Sequence, residues 1–165
     1  MADLKYVRDL MTVGVPTCKR DTLVVDVARY LISNNIEGMC VLDEDGNGVG
    51  VVGMEELANA YGRHGIRELV AEEIMREGMP TLQADMPIVL AAEFMRDQKT
   101  RVAYLIHNSA GIIYPAAYIT FRHLVRHLAA ESDEELNDLG IQAQRELPVD
   151  AFIRRRDAAR KLNLT

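Results

Sequence analysis

The amino-acid sequence predicts an α+β fold in which two tandem copies of one βαββα unit pack as a single module with pseudo-two-fold symmetry. The segment Val7–Met11 matches Ala71–Met75 after a shift of 64 residues, and Pro16-Thr17 then falls on Pro80-Thr81. After each Pro-Thr, apolar residues recur with helical spacing, and two short apolar runs joined by a glycine-containing turn follow. One copy alone has too little core to be stable, whereas two copies packed face to face bury both sheets.

Each copy is predicted to contain a short strand at its Pro-Thr, a helix, a two-stranded hairpin and a closing helix. The pattern predicts helix 23–34, strands 38–42 and 49–52 and helix 55–61, followed by helix 88–98, strands 102–106 and 112–119 and helix 121–130. Asp21 and Asp85 precede the first helix of each copy and are predicted N-caps, and Pro87 suits a first helical turn. The copies are predicted to span residues 1–65 and 66–130, with residues 131–165 as a helical C-terminal extension.

Composition is that of an ordinary globular protein. The 165 residues are 48% hydrophobic and 27% charged, with a formal net charge of −6, and this negative balance argues against non-specific nucleic-acid binding. The longest apolar run, 110–119, contains Pro115 and is far shorter than the ~20 residues that span a bilayer. The two cysteines, Cys18 and Cys40, are interpreted as small buried hydrophobic residues. We therefore expect a cytoplasmic protein with no membrane or nucleic-acid partner.

The two copies resemble the cystathionine-β-synthase (CBS) domain family, whose tandem pairs are called Bateman modules. The resemblance covers about residues 7–130 and rests on Asp9-Leu-Met11, Pro16-Thr17, Gly38-Met-Cys-Val-Leu-Asp43 and Gly50-Val-Val-Gly-Met-Glu-Glu-Leu57, with Glu73-Ile-Met75, Pro80-Thr81 and Ala117–Leu124 in the second copy. It implies a homodimeric regulatory module that binds an adenosyl ligand such as AMP, ADP, ATP or S-adenosylmethionine. It implies no catalytic activity and no required cofactor.

The ribose- and phosphate-binding motif that the resemblance implies, Gly-x-x-Thr/Ser-x-x-Asp, is incomplete in both copies. In the first, Gly53 stands where the hydroxyl residue is expected, and Glu56 replaces the aspartate. In the second, Thr120 keeps the hydroxyl, while Ala117 replaces the glycine and His123 replaces the acid. A carboxylate can accept hydrogen bonds from both ribose hydroxyls, and a hydroxyl at a helix start can bind a phosphate. We therefore expect two clefts that bind unequally, with the Thr120 cleft preferred.

The candidate ligand-binding residues come from both copies. Four residues, Arg122, His123, Arg126 and His127, form either a basic patch for a phosphate beside Thr120, or a solvated helix face, or contacts at the dimer surface. Thr17 and Thr81 either approach the adenine or act as strand-start hydroxyls, and four apolar residues form either purine-binding walls or core. The full set is Thr120, His123, Arg122, Thr81, Met79, Ala103, Thr17, Val15, Met39 and Glu56.

Other motifs are interpreted as structural. Residues 43–48 imitate half of a calcium-binding loop, but its twelfth position is Met54, so a hairpin turn is preferred. His123 and His127 have the spacing of two zinc ligands without further ligands nearby, so we expect no metal site.

The absence of a Walker loop, nucleophile elbow or dinucleotide fingerprint predicts that the chain is not an enzyme. The extension, with a predicted helix at 151–162, is either partly ordered or docks on a protein partner. A dimerisation and interaction module without a ligand is the alternative function.

Overall fold

The computed structural model describes residues 5–138, and its main elements follow the predicted order. The elements are α1 (Val7–Leu10), β1 (Thr12–Val13), β2 (Thr17–Lys19), α2 (Val24–Asn34), β3 (Gly38–Leu42), β4 (Gly48–Gly53), α3 (Met54–Ala60), a 3-10 turn (Ile66–Glu68), α4 (Ala71–Ile74), β5 (Arg76–Glu77), α5 (Ile88–Asp97), β6 (Val102–Ser109), β7 (Ile112–Thr120), α6 (Phe121–Ala129) and α7 (Asp133–Asp138). The fold is α+β, as predicted. Thr81 forms only an isolated bridge with Tyr104 instead of a strand.

Two sheets each combine strands from both halves of the chain. One sheet has the order β2-β3-β4-β5, in which β2 and β3 are parallel and the other neighbours antiparallel. The other has the order β1-β7-β6 and is antiparallel throughout. β1 comes just before β2 in sequence, but it pairs with β7 of the other sheet. β5 comes before β6 in sequence, but it pairs with β4. The segment that opens each sequence repeat is therefore exchanged onto the sheet of the other repeat.

Burial of apolar side chains fixes this exchange. Val7 and Leu10 of α1 are fully buried in a core with Met95 and Ile119 from the second half of the chain. Ala71 of α4 is equally buried, in the core of the first sheet. Burying such side chains is the main source of stability in a small domain, so neither core is complete without the segment that comes from the other copy.

The predicted N-caps Asp21 and Asp85 are wrong. Leu23 and Pro87 are the N-cap residues of α2 and α5, and neither makes a capping hydrogen bond with its side chain. The first amide of each helix is instead satisfied by the exchanged segments. Val24 N–H donates to the Leu69 carbonyl and Ile88 N–H to the Lys5 carbonyl, both at 2.9 Å. These partners are distant in sequence, so a local capping pattern could not reveal them.

Four other helices begin with one recurring hydrogen bond. In each, the side chain of the third helical residue accepts the N–H of the N-cap residue, as in the reciprocal half of a capping box. The four acceptors are Asp9 in α1, Glu56 in α3, Glu73 in α4 and His123 in α6, at 2.8, 2.9, 2.8 and 3.1 Å. The device thus occurs twice in each half of the chain.

The two sheets meet along an apolar cluster and at their hairpin turns. Cys40 and Val51 of one sheet pack with Val102 and Tyr104 of the other. Burial raises the pKa of the Cys40 thiol to about 12, so it is protonated and unreactive at neutral pH. Cys18 is half-buried rather than buried, and burial raises its thiol pKa to about 11.

Residues 43–48 form the expected hairpin turn. Asp43 Oδ1 accepts the Asp45 and Asn47 N–H groups at 3.0 and 2.8 Å, and Gly46 adopts a φ of 89°. Asn47 Oδ1 accepts the N–H of Ile113 on β7 at 3.0 Å. The side chains that shape the turn thereby also hold the two hairpins together.

The described part of the C-terminal extension adds a short helix to the second core. Leu136 of α7 is buried there, and Asp133 pairs with Lys5 at 2.8 Å. The predicted helix at 151–162 lies outside the described residues. Among residues 5–138, no helix combines the length and apolar composition that crossing a membrane requires.

Gly53 marks a close approach at the junction of β4 and α3. A Cβ at this position would lie 2.6 Å from the backbone carbonyl oxygen of Glu37. That carbonyl accepts the N–H of Met54 at 3.1 Å and so holds the first turn of α3. Because a backbone group cannot move aside as easily as a side chain, the junction requires glycine.

We expect Leu10→Ala to lower the free energy of unfolding by about 2–5 kcal/mol, because it opens a cavity in a core that lies in the other half of the chain. Urea denaturation measures the loss. Ile32→Ala is the matched control, since Ile32 is 72% exposed. A loss below about 1 kcal/mol for Leu10→Ala would contradict the role assigned to the exchanged segment.

We expect Gly53→Ser to lower the free energy of unfolding by about 1–3 kcal/mol, because the new Cβ displaces the Glu37 carbonyl. Gly62→Ser is the control, as a Cβ at Gly62 meets nothing within 4 Å. Thermal and urea unfolding of both variants measure the difference. If Gly53→Ser were as stable as the unmodified chain, the steric account of this glycine would be wrong.

Candidate functional site

A cavity of about 230 Å³ opens where β7 runs into α6. We call it the Thr120 cavity. It is lined by Thr12, Asn34, Asn35, Ile36, Glu37, Tyr118, Thr120, Arg122, His123 and Arg126. Its walls therefore come from the exchanged strand β1, from the turn between α2 and β3, and from the β7–α6 junction. Both halves of the chain are needed to form it.

His123 is fixed at the start of α6 through both ring nitrogens. The Thr120 N–H donates to His123 Nδ1 at 3.1 Å, and Thr120 Oγ1 lies 2.9 Å from the same atom. A backbone N–H can only donate, so Nδ1 is the acceptor and the ring is neutral with its proton on Nε2. Nε2 in turn donates to Thr12 Oγ1 at 2.8 Å. The imidazole thus ties the exchanged strand to the helix start and has no free lone pair for a metal.

Tyr118 completes this side of the cavity. Its ring meets the His123 ring edge-on, with centroids 5.7 Å apart and an interplanar angle of 89°. Burial raises the pKa of the Tyr118 phenol, and a hydrogen bond from Thr12 opposes the shift. At neutral pH the phenol is therefore protonated and remains a hydrogen-bond donor.

Glu37 and two arginines carry the charges of the cavity. Arg122 Nε lies 4.0 Å from Glu37 Oε1, which is an ion-pair contact but longer than a hydrogen bond. Burial raises the pKa of Glu37, while the positive charges of Arg122 and Arg101 oppose the shift. Arg126 lines the same cavity and forms no ion pair within residues 5–138. Within the described part of the chain, the cavity thus offers an anion one guanidinium that is partly paired and one that has no ion-pair partner.

The corresponding space beside α3, here called the Gly53 cleft, has different chemistry. Its wide part has a volume of about 530 Å³ and its narrow end, which includes Gly53, only about 20 Å³. It is lined by Glu37, Gly38, Val51, Gly53, Met54, Glu55, Glu56, Asn59, Ala60, Arg63, Glu73, Ile74, Met75, Arg76, Gln98, Lys99, Thr100, Arg101 and Val102. By the 64-residue shift, Arg76, Lys99 and Arg101 replace Thr12, Asn35 and Glu37. The positions that are neutral or acidic in one site are basic in the other.

Polar residues of the Gly53 cleft also form hydrogen bonds that stabilise the fold. Glu56 Oε2 accepts the Gly53 N–H at 2.9 Å, just as His123 accepts that of Thr120. The Arg76 guanidinium donates to the backbone carbonyls of Gln98 and Lys99 at 2.6 and 3.1 Å. In both copies, therefore, the side chain at the expected ribose-binding position caps a helix.

The structure brings three of the ten predicted site residues together in the Thr120 cavity: Thr120, Arg122 and His123. Glu56 lines the Gly53 cleft. The other six line neither space. Met39 and Ala103 are buried in the two cores, Val15 and Met79 belong to the cluster between the sheets, Thr17 pairs with Cys40 in the first sheet, and the exposed Thr81 donates to the Met79 carbonyl.

The sequence motifs do not identify several cavity residues. Glu37, Thr12 and the pair Asn34 and Asn35 reach the cavity from β1 and from the end of α2, far from the Thr120 motif in sequence. Their only sequence signal is the internal repeat. Alignment of the two copies places Glu37 at the position equivalent to Arg101.

Sequence comparison finds a known family model that matches part of the first half of the chain. A model of the CBS domain matches residues 7–63. The uncharacterized protein MJ1426 of Methanocaldococcus jannaschii is 38% identical over 65 residues, which cover 36% of this chain and 39% of that protein. The match thus spans well under half the length of this curated relative.

Solved structures share the fold of the whole described chain. The CBS domain pair of protein MJ0100, solved with 5′-methylthioadenosine and S-adenosyl-L-methionine, has a TM-score of 0.68 at 20% identity and covers 79% of this chain and 100% of its own. CBSX2 in complex with AMP has a TM-score of 0.59 at 20% identity, with coverages of 75% and 96%. The CBS domain protein TA0289 of Thermoplasma acidophilum has a TM-score of 0.66 at 19% identity, with coverages of 83% and 75%. The described chain therefore has the fold of a CBS domain pair, and its residues 7–63 match the CBS domain model.

Proposed function

We propose that the protein is a regulatory module that binds an adenine nucleotide or another adenosyl ligand in the Thr120 cavity. The observation that carries the proposal is the cavity itself, in which a helix start, a hydroxyl and two arginines converge. Proteins of the same fold have been solved with 5′-methylthioadenosine, S-adenosyl-L-methionine and AMP. Those complexes support an adenosyl ligand as the class to test first.

The residues of the cavity suit a ligand that carries a phosphate. α6 has nine residues, and its N-terminal end presents a partial positive charge toward the cavity. Arg122 and Arg126 are four residues apart and therefore lie on one face of the helix. Arginine binds phosphate oxygens with two parallel hydrogen bonds, so this face provides both charge and geometry for an anion.

We propose one ligand for each chain. In the Gly53 cleft, Gly53 occupies the position equivalent to Thr120. A side chain at Gly53 would displace the Glu37 carbonyl. When the two helices are aligned at their N-cap residues, Gly53 and Thr120, Glu55 takes the position of Arg122 and Asn59 the position of Arg126. A phosphate at the start of α3 would meet the Glu55 and Glu56 carboxylates, which disfavours it there even though basic residues line other parts of the cleft.

We further propose that the module acts as a cytoplasmic homodimer whose geometry responds to the ligand, with a regulatory rather than catalytic role. Val125 and Leu128 of α6 are 62% and 85% exposed. They give α6 an apolar outer edge that a second copy would bury. Because α6 also forms one wall of the cavity, a shift of this helix on ligand binding would reach such an interface directly.

An interaction module without a ligand is the second candidate function. It is favoured by the use of Glu56 and His123 as helix caps, since both motif positions then serve stability alone. In that case the residues beyond 138, or the exposed edge of α6, would carry the function through a protein partner.

Isothermal titration calorimetry of the full chain with AMP, ADP, ATP and S-adenosylmethionine distinguishes the two candidates. We expect binding of at least one phosphorylated ligand. Arg126→Ala should weaken it about tenfold, the effect of losing one charged hydrogen-bonding partner. Asn59→Ala, at the matched position of the Gly53 cleft, is the control and should leave affinity unchanged. Absence of binding heat and of a thermal shift with all four ligands at millimolar concentration would favour the interaction module.

A further inference from the structure

Glu37 is the one acidic side chain that lines the Thr120 cavity among the described residues, and its hydrogen-bonding capacity is unused. Its Oε2 atom is buried and makes no hydrogen bond within residues 5–138, and Oε1 reaches Arg122 only at 4.0 Å. A carboxylate has acceptor sites for about four hydrogen bonds. Leaving the Oε2 atom desolvated without a donor is costly, so a ligand that brings donors to this carboxylate would gain from meeting it.

The position that the sequence motif assigns to the ribose cannot provide this carboxylate. His123 accepts the Thr120 N–H through Nδ1 and donates to Thr12 through Nε2, so neither nitrogen is free to receive a ligand hydroxyl. A ribose in the cavity therefore needs another acceptor. Glu37 reaches the same cavity from the turn between α2 and β3, on a separate element.

We propose that Glu37 is the ribose-binding residue of the Thr120 cavity, accepting hydrogen bonds from the 2′- and 3′-hydroxyls of the ligand. The inference rests on the proposed function of this cavity. Two adjacent hydroxyls donate to the two oxygens of one carboxylate, and the phosphate of the same ligand is left for Arg122 and Arg126. The carboxylate lost from the motif is thereby replaced from a different element of the fold.

The same residue explains why the two sites differ. The 64-residue shift places Arg101 at the position of Glu37, so the Gly53 cleft has a hydrogen-bond donor at that position. Ribose hydroxyls can still donate to other groups there, but the guanidinium cannot accept from them. Glu37 also borders the narrow end of the Gly53 cleft, but that end has a volume of only about 20 Å³, room for about one water molecule, so a ribose can reach Glu37 only from the Thr120 cavity. Selectivity for a ribose diol should therefore belong to the Thr120 cavity.

The test compares the affinities of AMP, 2′-deoxy-AMP and IMP for the full chain and for Glu37→Gln by calorimetry. We expect the unmodified chain to bind AMP about tenfold more tightly than 2′-deoxy-AMP, a typical result of removing a donor to a charged acceptor. Glu37→Gln should bind AMP more weakly and lower the ratio of the two affinities to about twofold or less. Glu55→Gln, in the Gly53 cleft, is the matched control and should keep the full ratio.

The outcomes separate this inference from the function on which it rests. If no nucleotide binds the unmodified chain, the proposed function fails and the inference fails with it. If AMP binds but Glu37→Gln lowers both affinities equally, Glu37 has only a structural role and this inference alone is overturned. A loss of discrimination between AMP and IMP, with the ribose ratio kept, would assign Glu37 to the adenine amino group and also overturn it. Thermal melting of Glu37→Gln confirms that the variant is folded.

Discussion

The exchange of α1–β1 and α4–β5 between the two halves of the chain is the contact on which the rest of the structure depends. It completes both hydrophobic cores, and the residues that precede α1 and α4 supply the carbonyl groups that receive the first amides of α5 and α2. It also places Thr12 beside His123, so the wall of the Thr120 cavity exists only when the exchange is made. Stability and the candidate site thus share one set of contacts, and loosening the first must alter the second.

A symmetric backbone carries asymmetric side chains. The carbonyl of Glu37 accepts the Met54 N–H at the start of α3, and the carbonyl of Arg101 accepts the Phe121 N–H at the start of α6. These equivalent main-chain roles leave the two side chains free to diverge, to an acid in one copy and a base in the other. The third positions of α3 and α6 show the same divergence, because Glu56 and His123 accept the same N-cap hydrogen bond with different side chains. In our proposal, the charges at the two helix starts determine which cleft suits a phosphorylated ligand.

Most of the fold could be predicted from the sequence, because helical spacing, apolar runs and the internal repeat are local or periodic signals. The exchange could not, since the short segments 7–13 and 71–77 carry no sign of which sheet they join. The Asp21 and Asp85 caps failed for the same reason: the amides they were assigned to are satisfied by carbonyls distant in sequence. For the site, the ribose- and phosphate-binding motif predicted Thr120, Arg122 and His123. Glu37 could not be predicted, because only the folded structure shows that the turn before β3 reaches the cavity. Apolar residues in or beside the strands belong to the packed interior unless a cavity opens next to them, as Val15, Met39, Met79 and Ala103 show.

Two equivalent positions in one fold carry different residues, and we propose that only one of the two clefts therefore binds the ligand. A crystal structure of the full chain grown with AMP tests it most directly. The account predicts one AMP for each chain, in the Thr120 cavity, with its ribose hydroxyls at the Glu37 carboxylate and its phosphate at Arg122 or Arg126. AMP bound in the Gly53 cleft instead, or equally in both, would contradict it.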